Sequence, residues 1–167
     1  RHTKCLLMRP LIEGNPLPLT DVKKILKNRS VHIRNSEREV LNYNKALIWL
    51  DKLDSKFNSN LVLNVHKTLM KDLMPTAQGG QIRQVPVLVN DPILRKTVYW
   101  PPDHQDVKDL MKDLFEYILT NKTKIDPLIL AGIFHKQFVV IHPFIDGNGR
   151  TVRLATKVLL SAMGLNT

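Results

Sequence analysis

His142-Pro143-Phe144-Ile145-Asp146-Gly147-Asn148-Gly149-Arg150-Thr151-Val152-Arg153 holds more chemically capable side chains than any other stretch of this sequence. Histidine titrates near neutral pH and serves as a general base. Glycines at 147 and 149 permit positive φ and let the backbone approach a ligand closely. Successive N–H groups in such a turn form a concave anion site. Arg150 and Arg153 lie three residues apart, which makes them neighbours on a helix face. Two guanidinium forks beside an anion nest suit a polyphosphate. Asp146 at the lip is an oxygen ligand for a divalent cation bridging phosphates. Each feature alone has an ordinary structural use: His before Pro, a Gly-Asn-Gly turn, solvated arginines. Together, a base, a metal carboxylate and a phosphate cradle suit nucleotidyl transfer.

The elements around this stretch must position it. Pro143 disfavours helical geometry at His142, so the apolar run Phe138-Val139-Val140-Ile141 should end a helix there. A new amphipathic run begins near Arg150 and continues through Leu154, Val158 and Leu159 to Gly164. The stretch therefore reads as a loop between two helices. The N-terminus of the second helix adds unpaired N–H groups and the positive end of its dipole.

Upstream, Thr20 is a helix cap with Val22, Ile25 and Leu26 inward, to about Asn28. Ser36 and Glu39 form a capping-box pattern before a helix to about Leu53, with Val40, Tyr43, Leu47 and Leu50 on its buried stripe. Leu61 to Leu73 is a third helix, stopped by Pro75, and His66 on it reads as a packing residue. From Gly79-Gly80 the period changes. Ile82–Val89 and Thr97–Trp100 read as the arms of a hairpin with Asn90-Asp91-Pro92 as its turn, and Pro86 marks an edge. Asp103 caps a helix to about Leu119. Asp126-Pro127 opens another, which is apolar on most sides (Ile129, Ile133, Phe134, Phe138, Val140) and is expected to be the central, buried one. Phe144 is expected to anchor the loop by packing, and His135 to be structural. The fold class is mainly α, a helical bundle with one β-hairpin.

Composition narrows the class without fixing the chemistry. Hydrophobic content of 43% across 167 residues is enough for a domain with a real core. The net charge of +10 favours acidic partners, nucleotides among them. The basic residues are dispersed, and no recognised nucleic-acid motif accompanies them, so they read as solvated faces. Cys5 is the lone cysteine, which excludes an internal disulfide and makes a reducing cytoplasm the default. No long apolar span or signal peptide is in view, so no membrane partner is expected.

The stretch 142–153 resembles, position by position, the signature of Fic proteins, His-x-Phe-x-Asp/Glu-Gly-Asn-Gly-Arg-x-x-Arg. Most Fic proteins are AMP transferases that modify hydroxyl side chains of other proteins. The related Doc proteins, which transfer phosphate, carry Lys where this chain has Gly149, and that difference favours AMP transfer here. The resemblance implies His142 as base and Asp146 as the ligand of Mg²⁺. It implies that Gly147, Asn148 and Gly149 cradle the phosphates of ATP, with Arg150 on the β-phosphate and Arg153 on the γ-phosphate. The target would be a protein bearing a Ser, Thr or Tyr hydroxyl. Self-modification and a homodimer both stay open.

The resemblance also divides the chain. Residues 20–167 would be the Fic core, with the hairpin at about 81–100 acting as a flap over the active site. The segment Gln84, Val85, Pro86, Val87 and Leu88 would contact an extended target segment, since an exposed edge suits strand addition. Residues 1–19 would be an inhibitory segment. Ile12-Glu13-Gly14-Asn15 followed by Pro-Leu-x-Leu-Thr is similar to the segment of self-inhibited Fic proteins whose Glu pairs with the second signature Arg. Here Glu13 would pair with Arg153 and exclude the γ-phosphate, although Arg9 stands where that segment usually has Ser or Thr. The alternatives are a Fic-fold enzyme that uses another nucleotide or removes AMP, and a basic nucleic-acid or scaffold-binding module with a vestigial nucleotide site.

Overall fold

Six stretches satisfy their backbone groups as helices among the residues that the computed structural model describes: 17, 19–27, 34–52, 57–91, 94 and 96–165. In chain order these are α1 (Leu19–Lys27), α2 (Asn35–Asp51), α3 (Ser59–Leu69), α4 (Val107–Asn121), α5 (Pro127–Ile141) and α6 (Asn148–Ala162). The hairpin β1 (Val89–Asp91) and β2 (Lys96–Tyr99) lies between α3 and α4. The apolar cluster Leu6–Ile12, Glu13 and Pro92 lie outside the described residues. No described helix is long and apolar enough to cross a membrane.

Local chemistry sets most boundaries. Asp126 accepts hydrogen bonds from the N–H groups of Leu128 and Ile129, at 2.9 and 3.3 Å, and Pro127 takes the first position, where an N–H has no partner to lose. Asn58 caps α3 by accepting from Leu61 N–H at 2.9 Å. Other boundaries differ from the sequence reading. Thr20 lies inside α1, which begins at Leu19. Asp103 accepts from Gln105 N–H and shapes the turn that precedes α4, instead of capping the helix itself. Glu37, not Glu39, reaches back to the entry of α2, where its carboxylate accepts from Arg34 N–H at 3.3 Å. The end of α3 falls at Leu69, ahead of Pro75, because the buried Asn42 amide donates to the carbonyls of Leu69 and Lys71 at 3.0 and 2.7 Å. The Leu69 carbonyl is an orphan acceptor of the helix end, and that of Lys71 lies just past the cap.

Two apolar cores share α3 and α6. One gathers Val22, Val40, Tyr43, Leu47, Val65 and Leu69 with Leu154 of α6. The other packs α4 and α5 against Val62, Val152, Ala155 and Leu159. So α6 is buried on two sides, and it, rather than α5, is the central helix. In α5, Leu128 and Ile129 stand 65% and 60% exposed, Gln137 also faces outward, and only the face bearing Leu130, Phe134 and Phe138 is buried. Apolar content overstates burial here because apolar residues are also common at surfaces.

A chain of rings links this core to the 142–147 loop. Phe134 and Phe138 lie 5.7 Å apart, Phe138 and Phe144 6.0 Å, and Phe144 stacks on His66 at 3.7 Å with planes 6° apart. Phe144 is fully buried, as its anchoring role requires. The loop is closed by Asn148. Its Oδ1 accepts from Phe144 N–H at 2.9 Å and its Nδ2 donates to Phe144 carbonyl at 2.7 Å. Gly147, at φ +76°, stands just ahead of α6, where a Cβ would lie 2.6 Å from Met70 Sδ. His66, wholly buried, accepts from Gly80 N–H at Nδ1 (2.9 Å), which leaves Nε2–H to donate to the Asp146 carbonyl at 3.0 Å. It is a packing histidine, as read from the sequence, and it also ties α3 to the loop.

The hairpin is smaller than expected. Val89 pairs with Tyr99, Asn90 with Thr97 and Asp91 with Lys96. Asn90 and Asp91 therefore belong to a strand and not to the turn; Thr97 Oγ1 donates to Asn90 Oδ1, and Asp91 Oδ1 accepts from Leu94 N–H. Residues 81–88 run without ladder pairing. Pro86 has no N–H to give a ladder, and Arg83, buried, is drawn down onto the 142–147 loop.

Burial pushes the His66 imidazole down to about 4, against the smaller opposing effect of its bond to the Asp146 carbonyl. The unfolded chain therefore takes up a proton near pH 6.5 that the folded chain refuses until about pH 4. Stability should fall as pH drops through that window, by roughly 3 kcal/mol in all. Urea unfolding at pH 7 and pH 5 checks this, with His66→Gln expected to flatten the slope. Gly147→Ala should cost about 2 kcal/mol from its left-handed backbone alone, with the Met70 clash added. The clash part should shrink when Met70 is already Ala, as a double-mutant cycle would read.

Candidate active site

Ending α5 and beginning α6 across residues 142–147 brings a helix C-terminus and a helix N-terminus side by side. His142 closes α5 in the left-handed region, at φ 52° and ψ 60°, with its N–H still donating to the Phe138 carbonyl. This backbone turn takes the imidazole off the helix and to the wall of a cavity of about 340 Å³. The loop from Ile145 to Arg150 forms the floor, and Glu39, His142 and Arg153 complete the walls. A volume of this size lies at the small end of ligand pockets.

One ring nitrogen of His142 is tied to the backbone. Its Nδ1 lies 3.3 Å from the Val139 carbonyl, an acceptor only, so Nδ1 carries the proton and Nε2 is left with its lone pair. Burial lowers its proton affinity below the ordinary 6.5, and Arg83 adds to that; the Val139 carbonyl and Asp146 oppose. Neutral His142 is thus the form present at neutral pH.

Opposite it lies a charged cluster. Arg150, only 13% exposed, sends one arm to Glu39 Oε1 at 3.0 Å and the other to both oxygens of Asp146 at 3.2 Å. Asp146 Oδ1 also accepts from Gly147 N–H at 2.6 Å, while its carboxylate stays 64% exposed at the lip. Arg153, partly buried, stands one turn along α6 on the same cavity wall. Gly149 offers no side chain, so the first turn of α6 presents backbone N–H groups to the cavity. Asn148 is different from the sequence expectation in one respect. Its amide is committed to Phe144, so what it offers an anion is backbone.

The loop thus brings together His142, Asp146, Gly147, Asn148, Gly149, Arg150 and Arg153 at one cavity. Gln84–Leu88 are not among its lining; they lie beyond Arg83, mostly exposed. Glu13 lies outside the described residues. Two participants were missed. Glu39 was read as half of a capping box, yet it borders the buried stripe of α2 instead of opposing it, and that placement was the available signal. Arg83 carried none: a lone cation among apolar residues at a hairpin edge reads as surface.

Comparison with known proteins shows likeness to one family. The Fic/DOC family pattern matches residues 56–160. The chain is 32% identical over 162 residues to protein adenylyltransferase fic-1 of Caenorhabditis elegans, spanning 92% of this chain and 30% of that one. It is 31% identical over 161 residues to protein adenylyltransferase Fic of Drosophila grimshawi, spanning 92% and 32%. The chain thus spans about a third of the length of the curated relatives it matches. Among solved structures, a Fic family protein from Desulfovibrio desulfuricans G20 superposes with a TM-score of 0.79 at 27% identity, over 95% of this chain and 47% of that one. Fic-1 from C. elegans gives 0.77 at 25% identity, over 98% and 49%. With the signature loop folded as a turn between two helices, and the family pattern covering more than half of the chain, this chain belongs to the Fic/DOC family.

Proposed function

We propose that this domain transfers AMP from ATP to a Ser, Thr or Tyr hydroxyl of a protein. The observation that carries the reading is one cavity holding a neutral histidine with a bare Nε2, a lip carboxylate and two arginines at a helix N-terminus. The names of the curated relatives, protein adenylyltransferases, support it. The phosphates of ATP bind over the first turn of α6, with the β-phosphate on Arg150 and the γ-phosphate on Arg153. His142 Nε2 takes the proton of the target hydroxyl, the oxygen forms a bond to the α-phosphorus, and the bond to the β-phosphate oxygen breaks, releasing pyrophosphate. Positioning and charge stabilisation supply most of what such transfer needs.

Asp146 fits Mg²⁺. Among the described residues no three or more His, Cys, Asp or Glu side chains gather into a cation cage. Mg²⁺ is commonly held by one carboxylate with phosphate and water oxygens, and the exposed Asp146 offers that carboxylate. When bound, the ion neutralises charge on the phosphate oxygens.

Gln84–Leu88, mostly exposed and in no strand ladder, supports its reading as the strand that receives an extended target segment. Self-inhibition through Glu13 on Arg153 rests on the family resemblance and on the wall position of Arg153. A cytoplasmic setting rests on the single cysteine.

Incubation with α-labelled ATP and Mg²⁺ tests the proposal. Glu13→Gly should raise label on protein over the parent, and adding His142→Ala should lower it about a hundredfold or more. An equal rate with and without His142 would reject the assignment of the base. Because His142 holds its proton less tightly than a free histidine, kcat/KM should climb along an acidic limb with midpoint below 6.5. The profile should be flat above about pH 7.

A further inference from the structure

The last carbonyls of α5 point away from the helix and need donors. The carbonyls of Val140 and Ile141 in the last turn, and the next two in the chain, of His142 and Pro143, are met from the hairpin side of the molecule. Tyr99 Oη donates to Val140 carbonyl at 2.9 Å. Arg83 supplies the next three: Nη2 to Ile141 at 3.4 Å, Nε to His142 at 2.8 Å, and its backbone N–H to Pro143 at 2.9 Å. The same guanidinium holds both roots of the hairpin, with Nη1 on Val85 carbonyl at 3.2 Å and Nη2 on Pro102 carbonyl at 2.6 Å. Arg83 is only 2% exposed. Its charge is accommodated by the negative end of α5 and by carbonyl oxygens.

This arrangement satisfies carbonyls, and it also fixes the position of one loop residue. The residue it grips most closely on the loop is His142, which sits in a left-handed backbone conformation that L residues rarely adopt. Such a conformation persists when its surroundings over-determine it. We infer that Arg83 is a positioning residue that locks the His142 backbone, and with it the direction of Nε2, to the hairpin arm beside it. The inference rests on the reading of His142 as base in group transfer. The groups that face His142 are Arg83 and Asp146, so loss of the Arg83 clamp changes both the aim and the electrostatic surroundings of the imidazole.

Arg83→Met would strand several carbonyls and could unfold the domain, so Arg83→Lys is the working variant. It keeps the charge but loses the fork that reaches several acceptors at once. Both are made in the Glu13→Gly background and compared with that parent by three measurements: ATP affinity by calorimetry, transfer rate at saturating ATP, and the ring NMR signals of His142, His66 and His135. Transfer should fall at least about tenfold, because small misplacements of a reacting group are costly. ATP affinity should stay within about twofold, and the His142 signals alone should move. A rate kept within about twofold with unmoved His142 signals overturns the inference. So does a parallel fall in rate and affinity with the His66 signals shifting, which marks general loosening. If the Glu13→Gly parent itself transfers no label, the AMP reading fails, while the His142 signals still decide the role of Arg83.

Discussion

Asn148 donates to the carbonyl of Phe144 and accepts from its N–H, and on that closed ring of two bonds the whole site is hung. It lets the chain leave α5 and enter α6 within residues 142–147 while both polar groups of a buried residue are satisfied. The rest of the loop's geometry follows. Phe144 drops between His66 and Phe138, Gly147 passes Met70 where no Cβ fits, and Asp146 is left at the rim with its carbonyl held by His66. The apolar side of the loop is thus bolted to the core, and its polar side faces the cavity.

Charge around this scaffold is held by existing contacts. Arg150 is already paired with Glu39 and Asp146. Two carboxylates on one guanidinium hold that cation in place before a ligand arrives, and a preorganised donor needs little rearrangement when charge develops near it. The net charge of +10 draws anions toward the surface from a distance. Selection among anions has to come from the short-range groups of the cavity.

The sequence made the loop legible because its requirements are local. A Pro after His142, glycines around Asn148 and arginines three apart each constrain the neighbouring backbone directly. Helix positions were legible for the same reason, with Asp126-Pro127 the clearest case. What escaped was non-local. Asn42 ends α3 from 27 residues away, so Pro75 never gets the chance. Arg83 reaches carbonyls 58 and 59 residues on, and Glu39 finds Arg150 across the bundle. The hairpin was overextended because β-branched residues mark strand propensity, whereas Val85 and Val87 have no ladder partner. The central helix was misassigned because α5 is the more apolar, while α6 is buried on two sides with small and polar residues such as Ala155 and Thr151 among its contacts.

AMP transfer by this cavity, as proposed, moves the α-phosphorus of ATP and neither of the others. Parallel reactions with α-labelled and γ-labelled ATP, run on the Glu13→Gly variant with a protein acceptor, address it directly. Label on protein from the α-labelled nucleotide alone, with the intact adduct seen by mass spectrometry as adenylate, is the predicted result. Label from the γ-position would mean phosphate transfer and would contradict it.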